Sequence, residues 1–536
     1  MKAPPETGLQ RRRGTSKTAM ARPERGAGTA LQHREPPQDL ALERRIQSSL
    51  RLGPRERQRR TRWQRWRASL AAGWRSGEIG RRSLLGAPLL AVGFAIWAFG
   101  GVYGWAYGLA YLLVFGALAG WCVQCGRGRR QPRWHPTYVP VAAFGLLAVA
   151  QYLTGHTAVA ASTATALLHL SAAGAVFLLV SQMYRGSRDA RWMAACFAVF
   201  TMALALLAIL QILTASQGIY WHFTYAFASP AGSFVNRNHF AGCMEMLLPI
   251  SCLAVYWRRH QSWIYLLPWA AAPALGVAAV VLSASRGGIV SLLAQTLAAA
   301  VMIAWMARRS GPAANPSDSP AAAQVAGWLP LPVDWAATPP SATAPRRRRH
   351  PAPRARTRWA AVLLCLGLTA VLVWAAGSSR LQARLSVADL HAPGVVQRQQ
   401  LNRSSLAMFR RRPLLGWGLG TWANVYPEFA LFTDTSVYAY AHNDYLQSLA
   451  ETGAAGALCI LAVWVVWGFE FWDGVRRRGS RGRAPARAMA VAAALSCLGI
   501  LIHSWVDFNL HIPANLMLFF IMLALALPDS GESLND

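Results

Sequence analysis

The feature that most constrains this chain is a recurring apolar run about as long as a bilayer is thick. A helix crossing the hydrocarbon core needs about 20 mostly apolar residues. In lipid its backbone polar groups must be satisfied within the segment itself, so such runs fold as helices. Twelve runs are legible, at 84–100, 104–122, 137–153, 164–183, 192–214, 239–257, 263–282, 288–307, 359–376, 454–474, 488–504 and 513–529. Only 14% of the 536 residues are charged and 54% are hydrophobic, whereas about a quarter are charged in a soluble domain. The expected fold is an all-α polytopic membrane protein.

The formal net charge of +32 would suggest a nucleic-acid partner in a soluble chain. Here the arginines gather in alternate connections instead. With the N-terminus in the cytoplasm, the cytoplasmic loops hold Arg127, Arg129, Arg130 and Arg133, then Arg185, Arg188 and Arg191, then Arg258 and Arg259. Later ones hold Arg308, Arg309 and the run Arg346 to Arg349, and finally Arg476 to Arg487. The outer connections at 101–103, 154–163 and 505–512 have no Lys or Arg, and those at 215–238 and 283–287 have one each, Arg237 and Arg286. This alternation obeys the positive-inside rule and places both termini in the cytoplasm. The expected partners are membrane lipids, not nucleic acid.

Residues 1–82 are Arg-rich and lack apolar periodicity, which predicts a disordered cytoplasmic tail. No signal peptide is visible, since the first apolar run starts near Leu84. The membrane domain spans 84–529, followed by a cytoplasmic C-terminus at 530–536. Within it, 308–358 reads as a Pro/Ala/Ser/Arg-rich cytoplasmic linker. Residues 377–453 carry enough aromatic and amphipathic patterning to fold as an outer, periplasmic loop subdomain. The eight cysteines are scattered. The one CxxC, Cys122 and Cys125, has no second pair to complete a zinc site.

Ionisable residues near membrane depth are functional candidates, and four outer clusters qualify. Ser233 to Gly242 contains Asn236, Arg237, Asn238 and His239 at a helix N-terminus, where donors and the helix dipole favour anions. Glu245 follows about 9 Å further in. Ser283 to Gly288 is a tight hairpin with Arg286, whose glycines allow a sharp turn and the approach of a phosphate. Between Val395 and Tyr426, Arg398 and Arg403 lie on an expected helix that ends before Pro413. The glycine-rich stretch after it lacks the spacing and preceding strand of a nucleotide-binding fingerprint, and reads as a turn packed against that helix. Finally, Ala441 to Gly453 predicts a surface helix with His442 in its first turn, beside Asn443 and Asp444. A histidine suits proton abstraction from a hydroxyl near neutral pH. Each cluster also has a plainer reading as a helix cap, an interfacial anchor or a solvated face.

A lesser cluster, His503 to His511, offers Asp507 to orient a base or pair with an arginine. Metal binding by His503, His511 and Asp507 is conceivable. Mg²⁺ prefers carboxylate oxygens, however, and no DxD appears in the outer loops, so no metal and no cofactor are expected. Several outer arginines with few acids suit a diphosphate, which guanidinium binds in a bidentate fork.

Five segments together resemble the O-antigen ligase and polymerase superfamily. They are Ser233 to Gly242, Ser285 to Gly288, Arg412 to Gly420, Ala441 to Gln447 and His503 to Asn509. The resemblance implies a GT-C-like glycosyltransferase of about 12 helices in the bacterial inner membrane. It implies an undecaprenyl-diphosphate glycan donor and a metal-independent, inverting mechanism. By resemblance, His442 is the base or acceptor-orienting group, while Arg286, Arg398 and Arg403 hold the diphosphate. Arg237 is a further diphosphate candidate. Asn402 departs from the pattern, which favours an aromatic there, and the long basic N-terminus lies outside it. The acceptor stays open between lipid A core, another glycan and a protein side chain. A secondary transporter of bicarbonate or another small anion is the alternative, although no paired repeat with broken helices is visible. A non-catalytic scaffold in envelope assembly is the third reading.

Overall fold

The computed structural model describes residues 77–309 except 215, 217 and 225–228, four helical positions between 367 and 374, and 393–431, 437–477 and 484–528. Twelve helices of more than one or two turns carry the architecture, and no β-strand longer than an isolated bridge occurs among the described residues. They are α1 (Glu78–Trp97), α2 (Gly104–Gly126), α3 (Tyr138–Leu153), α4 (Ala160–Met183), α5 (Gly186–Leu213) and α6 (Arg237–Arg258). The others are α7 (Trp263–Leu282), α8 (Arg286–Arg309), α9 (Pro393–Arg411), α10 (Asp444–Arg477), α11 (Ala484–His503) and α12 (Pro513–Ala526). Nine of the described helices are long and apolar enough to cross a membrane; α3 and α12 are apolar but shorter. The protein is thus an all-α polytopic membrane protein. The expected ninth run, 359–376, lies outside the described residues apart from those four positions. So do the expected linker 308–358 beyond its first two residues, which end α8, the C-terminal 529–536 and residues 1–76.

The tail boundary needs correcting. Residues 78–82 belong to α1, because Arg81 is buried against Asp189 at the start of α5, with Nη1–Oδ2 at 2.6 Å. An arginine paired inside the fold prolongs a helix that its own charge would seem to exclude.

Helix α6 sits at the centre, packed against α5, α7 and α11, while α12 packs on α4, α11 and α1. Small residues and buried polar ties let these helices approach. Thr201 Oγ1 meets Ser251 Oγ at 2.8 Å between α5 and α6. Gln295 on α8 donates to the carbonyls of Glu245 and Leu495, at 3.0 and 2.9 Å.

A second, smaller core of Leu401, Met408, Trp422, Val425, Tyr426, Ala441 and Ala450 forms the cap between α9 and the start of α10. Its glycine-rich turn packs against both helices. Gly416, Gly418 and Gly420 all have positive φ, and a Cβ on Gly416 would fall 2.4 Å from the Glu451 backbone. The buried Glu451 carboxylate accepts from Gly420 N at 2.8 Å and Trp422 N at 3.2 Å. Helix α10 breaks at Gly453 (φ 63°, ψ −163°), which divides its cap portion from its long apolar portion.

Candidate functional site

Five stretches meet at one end of the helix set: the start of α6, the α7–α8 turn, α9, the residues before α10 and the α11–α12 connection. Side chains from the start of α6, from α9 and from the residues before α10 converge on Asp507 of the α11–α12 connection, which is fully buried. Asn236 caps α6, its side chain accepting from Asn238 N at 2.9 Å, as Asn does well at that position. The cap fixes the first turn. Asn238 Nδ2 then donates to Asp507 Oδ2, and His239 Nε2 lies 3.5 Å from Oδ1. From α9, Arg398 Nη2 reaches Oδ2 at 3.4 Å. His442 Nδ1 stands 3.6 Å from Oδ1, and Phe508 N donates to Oδ1 at 2.9 Å. Burial alone would raise the Asp507 pKa, but His239 and His442 outweigh it and hold the carboxyl well below the usual range. Neither His239 Nε2 nor His442 Nδ1 makes a hydrogen bond of normal geometry.

His442 is not in the first turn of the helix but two residues before it. Its φ is +52°, a left-handed conformation that non-glycine residues rarely adopt and that surrounding structure must enforce. Both flanks are pinned. Ala441 N donates to Gln447 Oε1 at 3.0 Å, and Asn443 Oδ1 accepts from Tyr445 N and Leu446 N, each at 3.1 Å. Asp444 N donates to Ser504 O at 2.9 Å. The imidazole remains 26% exposed. Phe508 touches it edge-on at 4.8 Å and touches His239 at 4.6 Å, with Tyr440 stacked on its ring at 4.3 Å. Phe508 and Tyr440 were not singled out from the sequence; the alternation of aromatic and polar residues from Trp505 to His511 was the available signal.

Asp444 serves the junction itself. Its carboxylate accepts from Ser504 Oγ at 2.7 Å and Leu510 N at 3.1 Å, and pairs with His511 Nδ1 at 2.6 Å. Beneath Asp507, Glu245 and His503 form a sealed pair at 2.8 Å. His503, His511 and Asp507 therefore do not converge as metal ligands: each faces a different partner.

Arg286 opens α8, but the glycines after it have another role than the one expected. Neither has positive φ; Ala284 supplies the left-handed residue of the turn, at φ 52°. A Cβ on Gly287 would fall 2.4 Å from His503 Cδ2, and one on Gly288 2.7 Å from Ala241 Cβ. They bring α8 against α6 and α11, which sets Arg286 beside the turn carrying Asp507. Arg237 occupies the first position of α6, its backbone N donating to Ser229 O at 2.7 Å. Arg403 is not gathered in. It is exposed, and five residues separate it from Arg398, which is about 140° around a helix. Asn402 Oδ1 is buried without a hydrogen bond, at the position where the family pattern favours an aromatic.

Residues 271–461 match the family model described as O-antigen ligase. No curated protein matches the chain. Three of the five motifs, at 285–288, 412–420 and 441–447, fall within the matched segment. The other two lie outside it, yet supply Asn238, His239 and Asp507 to the same site.

Proposed function

We propose that this protein transfers a glycan from an undecaprenyl-diphosphate donor to an acceptor hydroxyl at the periplasmic face of the bacterial inner membrane, as a ligase or polymerase of surface polysaccharide. Family and apolar helices together make it a membrane enzyme of polysaccharide assembly. The observation that carries the finer reading is the convergence of His442, His239, Arg398 and Asn238 on the buried Asp507.

In this reading the acceptor O–H gives its proton to His442. The freed oxygen attacks the anomeric carbon from the face opposite the diphosphate. The bond from that carbon to the phosphate oxygen breaks, its electron pair leaves with undecaprenyl diphosphate, and the sugar inverts. Asp507, facing Nδ1, orients the ring and stabilises the imidazolium that forms. Arg286 and Arg398 meet the charge growing on the leaving diphosphate, and Arg237 and the exposed Arg403 extend the cationic approach. The strained backbone of His442 fits a group held ready for one geometry. With arginines to neutralise the diphosphate, the step needs no metal.

The test is transfer from a lipid-diphosphate glycan by purified protein in detergent, with EDTA throughout. Sustained turnover with inverted product is expected; loss of activity in EDTA would overturn the metal-free step. Orientation is tested in intact cells with single-cysteine probes at Val437, which is 95% exposed, and at Arg129. Labelling of the first and protection of the second are expected; the reverse would overturn the periplasmic placement.

A further inference from the structure

Asp507 faces more donors than it can accept from. A carboxylate offers about four lone-pair sites, two on each oxygen. Among the described residues five donors address it. Asn238 Nδ2 and Arg398 Nη2 approach Oδ2, while Phe508 N, His239 Nε2 and His442 Nδ1 approach Oδ1. The Phe508 amide, at 2.9 Å, takes one site on Oδ1. The two imidazoles are left at 3.5 and 3.6 Å with one site between them. A ring nitrogen that faces a carboxylate oxygen carries its hydrogen, because two acceptors would repel. Both rings are therefore donors, and neither completes a bond.

The crowding is built in. Buried Asn515 donates from Nδ2 to His239 O at 3.0 Å and so ties the backbone of His239. One turn on, a Cβ at Gly242 would fall 2.3 Å from Asn509 Oδ1, so α6 is pressed onto the α11–α12 connection. Phe508 meets both imidazoles edge-on, and the flanks of His442 are pinned. Asp507 is ionised near neutral pH, since its neighbours hold the carboxyl well below the usual range. The other charges around it are Arg398, the Glu245–His503 and Asp444–His511 pairs, and Arg237 and Arg286 at the starts of α6 and α8. All of them stay the same in the variants used below.

We infer that His239 is a positioning residue that competes with His442 for Asp507 and keeps the base loosely held until it takes up a proton. While His442 is neutral, the contested site on Oδ1 is divided. Once the acceptor proton reaches His442 Nε2, the ring is cationic and its bond to the carboxylate becomes roughly twice as strong. It then takes the site from His239. A contact completed only as charge develops lowers the barrier, whereas one already complete at rest does not. Without His239, the carboxylate would bond His442 at rest and draw a proton onto it. The benefit to turnover rests on the proposed reaction; the competition itself does not.

The test uses the full chain in detergent with ring-labelled histidine. The His442 ring is followed by NMR across pH without substrate, its signal assigned by its loss in His442→Ala. His239→Ala removes the competing donor and so favours the charged ring of His442. The titration midpoint of that ring should move to higher pH, by roughly one pH unit. The acid limb of kcat/KM for glycan transfer should move with it, while the alkaline plateau is largely kept. A residue that merely supported the fold would lower the plateau and leave the limb in place. His239→Gln keeps an N–H at similar reach and should hold both near the wild-type values. His239→Leu fills the space without a donor. It keeps the test usable should the alanine variant fold poorly, and should shift both as alanine does. An unmoved midpoint in His239→Ala or His239→Leu would overturn the competition, as would an equal shift in His239→Gln. A midpoint that moves while the limb stays would support the competition and overturn His442 as the base, a failure of the proposed reaction alone.

Discussion

Two aspartates lie at the junction of cap and helix set, and their surroundings differ in kind. Asp444 is saturated: a hydroxyl, a backbone amide and an imidazole all bond to it at 3.1 Å or less. Asp507 accepts from Asn238 Nδ2 and from Phe508 N, the latter at 2.9 Å, while two imidazoles and a guanidinium stand looser, 3.4 to 3.6 Å away. Full hydrogen bonding builds structure, since each bond to a charged group adds about 1.5–3 kcal/mol. Groups held this loosely remain able to move onto a substrate, and catalytic hydrogen bonds in unliganded sites are often long. In the proposed mechanism this difference gives Asp444 the task of holding the cap in place and Asp507 that of serving the chemistry.

The strongest way to break that division is His442→Ala. Turnover should fall roughly 10²–10⁴-fold, the scale of general base catalysis, with donor binding and melting midpoint nearly unchanged. Full activity would remove His442 from the mechanism. Asp444→Ala should do the reverse. It should lower stability by about 3 kcal/mol, the order expected when a buried charged partner is removed, while the fraction still folded transfers glycan at a near-normal rate. A variant that melts normally but is inactive would place Asp444 in the chemistry instead. A smaller effect is expected from Arg286→Lys. The charge stays but the fork is lost, so kcat/KM for donor should drop about tenfold, the consequence of some 1.4 kcal/mol less transition-state stabilisation. An unchanged value would make Arg286 an interfacial anchor.

Much of the helix layout was legible because apolar run length is a local property. The break at Gly453, between the cap helix and the long apolar helix, was expected from the end of the polar pattern. The glycine-rich turn at 416–420 packs as its residues suggested. What was illegible depended on distant partners. Arg81 read as tail until Asp189, 108 residues away, buried it. Gly287 and Gly288 read as a turn for phosphate until His503 and Ala241 filled the space beside them. Arg403 looked equivalent to Arg398, because spacing along a helix reveals an angular difference but not which face is covered. Asp507 was noticed as one possible partner for a base or an arginine. That four side chains from three other stretches converge on it was not written in any one motif.

The subtlest test asks whether the saturated side of the junction titrates as its contacts require. His511 faces Asp444 and, at longer range, the buried Glu451; Tyr440 packs on it at 5.3 Å. Burial would lower its pKa, but the bond to Asp444 and the two carboxylate charges outweigh burial and raise it. A raised value means that folding favours the protonated form. The resulting stability is fully present below the pKa of an unfolded histidine, about 6.5. It declines as pH rises from there and is lost above the folded value. Asp507 contributes no slope in this window: its depressed pKa gives stability that is present above the unfolded value and lost only as pH falls through the folded one. His511→Asn keeps an N–H for Asp444 but cannot titrate. The melting midpoint of wild type minus that of the variant should therefore shrink by roughly a degree or two between pH 6 and pH 9. A difference that stays constant across that range would show that folding does not shift His511, and that Asp444 holds the junction through Ser504 and Leu510 without help from a charged imidazole.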